Sequence, residues 1–362
     1  MNSERYYRQL ILEGFGEAAQ QKLAAARVLV IGAGGLGCAA LQYLVAAGVG
    51  HIGIVDDDLV SLSNLSRQIL YATADLGKRK VDVAAQRLSE LNTEVEIKTY
   101  PIRLGRMVIL KLLKAYDYVL DGTDNFDSRY LINDACVLLK KPLIFAAISG
   151  YEGQLAVFNI TDQSNKSTNY RDLFPVPPQA AEVPNCSENG VLGVLPGIIG
   201  TMQAAEVIKL ISGIGLPLVN KLLHYNLLNQ HFYEILLSPS YGTYTLPETE
   251  AEFLAMNIEM ISIDGHQLKA LRKKRSTIFI DVRETHELPA LDASVFLKVP
   301  MSGFQTFLKQ DIAEENIVLI CQHGIRSVLA AESLKEKYGK SKNIYSLQGG
   351  IIKWISHFTS NE

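Results

Sequence analysis

The sequence predicts two successive α/β units, the first doubly wound around a mainly parallel sheet, the second smaller. Three observations predict it. Arg27–Ile31 (RVLVI) is an unbroken apolar run rich in β-branched residues, as a strand buried on both faces requires. A glycine-rich turn at 32–37 follows at once and opens an apolar helix over 36–47; residues 52–55 then read as a second strand, closed by the acidic run Asp56, Asp57, Asp58. After a stretch of Ser, Pro, Gly, Thr and Glu over 238–252, the same strand-and-helix grammar starts again. At 362 residues the chain has the length of two domains, placed at 1–238 and 258–362 with a linker over 239–257.

The remaining elements follow in order. A helix is expected over 80–91 and strands near 95–100, 118–120, 143–147 and 154–158, with a helix over 197–212. In the second unit, 277–280 reads as a strand ending at Asp281, 317–320 as a strand ending at Cys321, and 327–338 as a helix. Composition excludes several classes. A formal net charge of −3 gives no drive toward nucleic acid or an anionic membrane. The apolar stretch 39–55 is interrupted by Gly48, Gly50 and His51, so no membrane span is expected there, and residues 1–8 are not expected to be a leader. Cysteines 38, 136, 186 and 321 show no paired spacing, which points to a reducing cytoplasm. Cys38 and Cys136 lie in apolar helical patterns and read as core.

The turn Gly32-Ala33-Gly34-Gly35-Leu36-Gly37, between strand and helix, brings backbone N–H groups to an anionic phosphate, the Rossmann-like arrangement. Alone it fits NAD, FAD, SAM and ATP, a dinucleotide oxidoreductase foremost, with Asp56 after the second strand suited to a ribose hydroxyl in most of them. Downstream, Asn64, Arg67 and Gln68 follow the acidic turn, Lys80 ends a Gly-Lys-Arg-Lys run, and Asp121-Gly122-Thr123-Asp124-Asn125 closes a later strand. Arg67 and Lys80 suit triphosphate charge and Asp124 suits Mg2+; a dehydrogenase has no departing pyrophosphate to stabilise. Plainer readings stay open: Arg5 and Arg8 as surface charges, Lys80 as a solvated helix residue like Lys78 and Arg79, and Asp57 and Asp58 as caps of the following turn.

Together, Arg5-Tyr6-Tyr7-Arg8-Gln9, GAGGLG, Ser61-Leu62-Ser63-Asn64-Leu65, Arg67-Gln68, Lys80 and Asp121 to Asn125 resemble the sulfur-carrier adenylyltransferases of the MoeB/ThiF type, relatives of the ubiquitin-activating enzymes. The resemblance spans about 1–238. It implies a homodimer in which Arg8 reaches the partner protomer's ATP. Asp56, Arg67, Lys80 and Asp124 would contact the nucleotide, with Asp124 near Mg2+. The substrate would be a ubiquitin-like sulfur carrier protein ending in Gly-Gly. That family also carries two Cys-x-x-Cys pairs holding a structural zinc. Here those positions read Asn169-Tyr170-Arg171-Asp172 and Tyr241-Gly242-Thr243-Tyr244, so no structural zinc is expected. Cys186 falls on the family's crossover loop, where fused members form a thioester or disulfide; the plainer reading is an inert, half-buried thiol.

Cys321-Gln322-His323-Gly324-Ile325-Arg326-Ser327 joins a strand end to a helix start, so successive N–H groups and the helix dipole favour a thiolate or persulfide, with Gly324 giving the turn and Arg326 a positive charge. The loop, Asp281-Val282-Arg283-Glu284 and the segment from Leu347 to Trp354 resemble a rhodanese domain over about 258–360. A phosphatase loop has similar logic but is commonly one residue longer. His323 reads as a loop side chain, and Asp281 and Arg283 as builders of the domain. The implied activity is ATP-dependent adenylation of the carrier's terminal Gly, followed by persulfide transfer from Cys321 to give a thiocarboxylate. The persulfide would come from a donor such as a cysteine desulfurase or thiosulfate. Competing readings are an NAD(P)-dependent oxidoreductase, a non-catalytic scaffold for a ubiquitin-like protein, and an activator whose rhodanese half only senses. Which carrier is used is open among molybdopterin, thiamine and tRNA thiolation pathways.

Overall fold

Strand-forming runs assemble into two separate sheets. The computed structural model describes residues 3–175, 190–240, 244–255, 261–324, 326–338 and 341–355, and the chain divides into two compact units, one carrying 1–177 and 184–256, the other 178–183 and 257–362.

The first unit runs α1 (Ser3–Leu10), α2 (Gly16–Ala25), β1 (Arg27–Ile31), α3 (Gly35–Ala47), β2 (His51–Val55), α4 (Lys80–Leu91), β3 (Glu96–Tyr100), α5 (Arg106–Leu113), β4 (Tyr118–Asp121) and α6 (Phe126–Leu138). It continues with β5 (Leu143–Ser149), β6 (Glu152–Phe158), α7 (Tyr170–Leu173), α8 (Val194–Ser212), β7 (Lys221–Asn226), β8 (His231–Leu236) and α9 (Glu250–Ala255). The sheet order is β3-β2-β1-β4-β5-β6-β7-β8. Strands β3 to β5 are parallel, and β6, β7 and β8 are added antiparallel. Chain order reverses beside β1, between β2 and β4, which is where open parallel sheets leave a crevice at their C-terminal ends. Apolar cores cover both faces of the sheet. The expected elements are present: β1 and α4 with the expected bounds, β3 one residue shorter, and the others extended by one to three residues. Helix α8 is long and apolar enough to cross a membrane by length and composition; here Leu195, Ile199, Ala204 and Val207 are core residues. A Cβ on its Gly200 would lie 2.3 Å from the Leu36 carbonyl, so α8 crosses α3 at backbone contact.

Part of the stretch read as linker is ordered. Within it α9 forms, Phe253 is fully buried, its carbonyl accepts from Arg106 Nη1 at 3.0 Å, and Lys114 pairs with Glu250 at 2.7 Å. One aromatic anchor, with the Arg106 guanidinium 4.8 Å over its ring, outweighs a loop-like composition.

The second unit comprises β9 (Ile261–Ile263), α10 (Gly265–Arg272), β10 (Thr277–Asp281), β11 (Phe296–Lys298), α11 (Phe304–Phe307), β12 (Asn316–Ile320), α12 (Arg326–Tyr338), β13 (Asn343–Leu347) and α13 (Gly350–Lys353). Its sheet is wholly parallel, in the order β11-β10-β12-β13-β9, with an apolar core on each face.

Candidate active sites

In the first unit three loops leave adjacent strands at one level. Ile31 of β1 is in register with Val55 of β2 and with Asp121 of β4, so Gly32, Asp56 and the turn at 122–125 all start at the same sheet edge. Gly32 takes φ +94°, and its N–H bonds the Val55 carbonyl at 2.8 Å. A Cβ at Gly37 would lie 1.9 Å from the Gly32 carbonyl, so only glycine lets the helix start this close to the turn. A Cβ at Gly34 would meet nothing nearer than the Gln68 amide at 3.7 Å, whereas one at Gly35 would touch Pro196 of α8. The turn is thus open on its Gly34 side.

Asp56 is half-buried and accepts from the Ala33 N–H at 2.8 Å and the Asp58 N–H at 2.9 Å. Burial raises its carboxyl above the usual range, with Lys80 and the two N–H groups opposing. Lys80 is buried, 4% exposed, and its Nζ is held by Asp58 Oδ2 at 2.8 Å. This excludes the solvated-lysine reading and makes Asp58 the residue that aims Lys80. The carboxylate oxygens of Asp56, Asp57 and Asp58 lie within 4.8 Å of one another, close enough to share a cation. Arg67 is half-exposed and bonds the Ser63 carbonyl at 3.1 Å. The Asn64 carboxamide is spent on the Ser61 N–H at 3.1 Å, a local cap. Gln68 is 4% exposed with Oε1 unpartnered among the described residues, a buried polar atom that needs a partner.

Across the crevice, fully buried Asp121 accepts from the Thr123 N–H and hydroxyl at 2.9 and 2.6 Å; burial raises its carboxyl, against the Arg129 charge. Arg129 in turn holds the Thr123 carbonyl at 3.1 Å. These bonds fix the turn that presents Asp124, which is exposed. Asn125 caps α6, accepting from the Ser128 N–H at 2.9 Å. Arg8 is exposed on α1, apart from these bonds. Cys186 lies outside the described residues. The chain resumes beyond them close to the site: a Cβ at Gly193 would lie 2.0 Å from the Ser66 carbonyl. Cys38 and Cys136 are fully buried, and burial pushes the Cys38 thiol up to about 12 and that of Cys136 well above its ordinary value.

The positions that resemble zinc-binding pairs carry a polar clasp. Asp172 accepts from the Asn169 N–H at 2.8 Å, the Asn169 amide at 2.9 Å, the Ser240 N–H at 2.5 Å and the Tyr244 hydroxyl at 2.7 Å. Asn169 also donates to the Tyr244 oxygen at 2.7 Å, and Arg171 forks onto Asp134 at 2.7 and 2.8 Å. Tyr241, Gly242 and Thr243 lie outside the described residues. The sequence puts no thiolate at either position, and the described polar groups there are bonded to one another, a set that does not fit zinc.

In the second unit, Cys321 ends β12 and is 1% exposed. Its Sγ accepts the Gly324 N–H at 3.1 Å and lies 3.4 Å from the Ser327 hydroxyl, itself bonded by the Ser346 hydroxyl at 2.8 Å. Gly324 takes φ +88°, and a Cβ there would lie 2.8 Å from the Gly349 nitrogen. The loop is pinned from behind by Ile351 N–H on the Cys321 carbonyl and Ile352 N–H on the Gln322 carbonyl. Asp281 and Arg283 are structural as expected: Arg283 is fully buried, bonding Asp281 through Nε and Nη2 and Gln322 through Nη1. Burial raises the Asp281 carboxyl, but hydrogen bonds from Arg283 and Lys298 carry it below its ordinary value. Arg326 is less free than the sequence implied. Its Nη1 and Nη2 fork onto Glu287 at 2.5 and 2.6 Å, holding that carboxyl down at about 2. Glu287, Ser346 and the Gly193 contact went unread because each reaches its partner only through the fold.

Residues 6–242 match the ThiF family and residues 264–357 the rhodanese-like domain. The chain belongs to the ThiF family. It carries a rhodanese-like domain behind the ThiF portion, and it is an adenylyltransferase and sulfurtransferase. A sulfur carrier protein adenylyltransferase of Thermus thermophilus is 50% identical over 64% of this chain and 86% of its own. A probable adenylyltransferase/sulfurtransferase, MoeZ, of Mycobacterium tuberculosis is 38% identical over 97% of this chain and 92% of its own, and MOCS3 of Arabidopsis thaliana 34% identical over 99% and 84%. The ThiF fold also matches E. coli MccB solved with MccA-N7isoASN, at TM-score 0.59 and 20% identity over 69% of this chain and 75% of that one, and MccB solved with ATP, at TM-score 0.53 and 22% identity over 62% and 67%. ATP is the adenylating nucleotide of such enzymes, and neither the oxidoreductase nor the scaffold reading gains support.

Proposed function

We propose that this chain activates the C-terminal glycine of a ubiquitin-like sulfur carrier ending in Gly-Gly and converts it to a thiocarboxylate. The observation that carries the proposal is the buried Lys80, aimed by Asp58 beside Asp56 at the mouth of the glycine turn. A desolvated ammonium there suits phosphate oxygens and the charge that develops as pyrophosphate departs. The turn's open Gly34 side and the unpartnered Gln68 oxygen fit a polar ligand in the same crevice. A divalent cation accompanying the nucleotide would be held by the exposed carboxylate of Asp124, where it would offset phosphate charge. Arg67 would take phosphate from the opposite rim, and Arg8 would act across a homodimer.

In the first step the carrier carboxylate attacks the α-phosphorus and pyrophosphate leaves with the bonding pair. The terminal sulfur of a Cys321 persulfide then attacks the acyl carbon, and AMP leaves. A second thiolate, assigned to Cys186, attacks the Cys321 sulfur; the thiocarboxylate departs and a Cys186–Cys321 disulfide remains, which an external dithiol reduces. Such chemistry belongs in a reducing cytoplasm, away from nucleic acid and membrane, and the clasp around Asp172 serves in place of zinc.

The test is pyrophosphate exchange into ATP with a Gly-Gly carrier, against the same carrier lacking its last glycine. Exchange with the first and not the second is expected. No exchange across several Gly-Gly carriers, or spectroscopic binding of NADH in preference to ATP, would remove the adenylation reading.

A further inference from the structure

Beside the persulfide loop, the charge of Arg326 is offset by Glu287. Arg326 follows the loop directly and opens α12, yet both of its terminal nitrogens are taken by the two oxygens of Glu287. Glu287 is itself fixed: its Oε1 accepts the Glu284 N–H at 2.7 Å, and Glu284 is anchored to the Ser302 N–H and hydroxyl at 3.1 and 2.9 Å. Of the neighbouring cations, Arg283 and Lys298 both bind Asp281, and Lys353 keeps its charge over the Trp354 ring. Arg326 is offset by Glu287, one carboxylate to one guanidinium. Among the described residues, the groups hydrogen-bonded to the sulfur are neutral: the Gly324 N–H and the Ser327 hydroxyl. Two neutral donors suit one negative charge on a terminal sulfur. They do not compensate the double charge of thiosulfate or of the sulfite it releases.

We propose that Glu287 sets donor specificity at Cys321 by occupying Arg326, so that the loop disfavours dianionic sulfur donors and accepts sulfur from a neutral hydropersulfide on a thiol. The step balances. The Cys321 thiolate attacks the outer sulfur of R–S–SH, the new Sγ–S bond forms, the old S–S bond breaks, and R–S− leaves with its electron pair. With thiosulfate the same attack expels sulfite, and its two charges must sit where Glu287 already holds the half-exposed Arg326 guanidinium. This deepens the sulfurtransferase reading of Cys321 and rests on it.

The experiment compares thiosulfate, a dianion, with methanethiosulfonate, a monoanion, as donors to the full-length chain with cyanide as acceptor. The readout is the ratio of their kcat/KM values. Glu287→Gln should raise the thiosulfate-to-methanethiosulfonate ratio by about tenfold, the worth of one freed charge near the surface, chiefly through the KM for thiosulfate and with a steeper loss of the gain at high salt. Glu287→Asp should keep the wild-type ratio, and adding Arg326→Gln to Glu287→Gln should return to it. A merely structural role would lower turnover with both donors together. An unchanged ratio in Glu287→Gln overturns the inference while leaving Cys321 in its role. If that variant does not fold, Arg326→Gln alone serves: it leaves Glu287 unopposed and should lower the ratio, and an unchanged ratio again overturns the inference. Absence of turnover with both donors in the wild type would instead remove the Cys321 assignment, and the inference with it.

Discussion

At the scale of single residues, burial acts in opposite ways within the first unit. At the nucleotide crevice burial serves a charge. Lys80 is held out of bulk water by Asp58, so a phosphate brought to it gains more than it would from a solvated lysine. Lys80→Ala should lower carrier-dependent pyrophosphate exchange about a hundredfold, in the range found for removing one preorganised charge-stabilising donor. Asp58→Asn, which leaves the ammonium but loosens its aim, should lose much less. Equal losses in the two variants would mean that Asp58 acts on the nucleotide directly. For the core thiols Cys38 and Cys136, burial silences. Cys38 is pushed up to about 12 and Cys136 well above its ordinary value by desolvation, so both are neutral thiols at pH 8, far below where they would ionise. Neither should be alkylated in the folded chain at pH 8, and both should be alkylated once it is denatured. Incubation with a sulfane donor should add the mass of one sulfur atom to the peptide holding Cys321. Modification of folded Cys38 would contradict the packing seen around it.

At the scale of elements, the clasp on α7 is gathered by one carboxylate. Asp172 gathers the Asn169 N–H and amide, the Ser240 N–H and the Tyr244 hydroxyl, tying the chain after β8 to the chain before α7. The Tyr244 hydroxyl is pushed up, by burial and then by the Asp172 carboxylate it donates to, so it stays a donor through the neutral range. Asp172→Ala should cost about 2–3 kcal/mol, as removal of a charged acceptor with several donors does. In calorimetry this lowers the melting of the first unit by several degrees, and EDTA should leave the wild-type transition where it is. A wild-type melt that falls on chelation would show that metal, and not this clasp, holds the segment. The clasp also shows what sequence conveys and what it does not. Strands β1, β2, β4 and β12 were legible because an apolar β-branched run ending in Gly, Asp or Cys carries its own meaning. The residues those strands present were legible for the same reason. Strands β7 (KLLHYN) and β8 (HFYEIL) mix polar and apolar residues without clean alternation, and β8 is exposed along its whole length at the sheet edge, so no periodicity announces it. Helix α9 rests on one buried phenylalanine. Lys80 with Asp58, Arg326 with Glu287, and Asn169 with Tyr244 are 22, 39 and 75 residues apart. Pairs so distant are made by the fold, and no local pattern contains them.

At the scale of the whole molecule, each chemistry has its own sheet and its own cores, and the two share one chain. Disabling one half should therefore leave the other intact. Lys80→Ala should retain cyanide-dependent turnover of a sulfane donor, and Cys321→Ala should retain carrier-dependent pyrophosphate exchange, while neither alone makes thiocarboxylate. Mixing the two variants is the sharper test. In one chain the persulfide meets the acyl-adenylate at an effective concentration of about a millimolar, as a short tether sets it. Between chains it meets it at the enzyme concentration. The mixture should then regain thiocarboxylate formation at a rate that rises with protein concentration. Product that stays absent at every concentration would mean that transfer needs more than proximity, and that the units must move together within one chain. A rate equal to that of the wild type, independent of concentration, would place the two reacting halves on different protomers of a stable dimer.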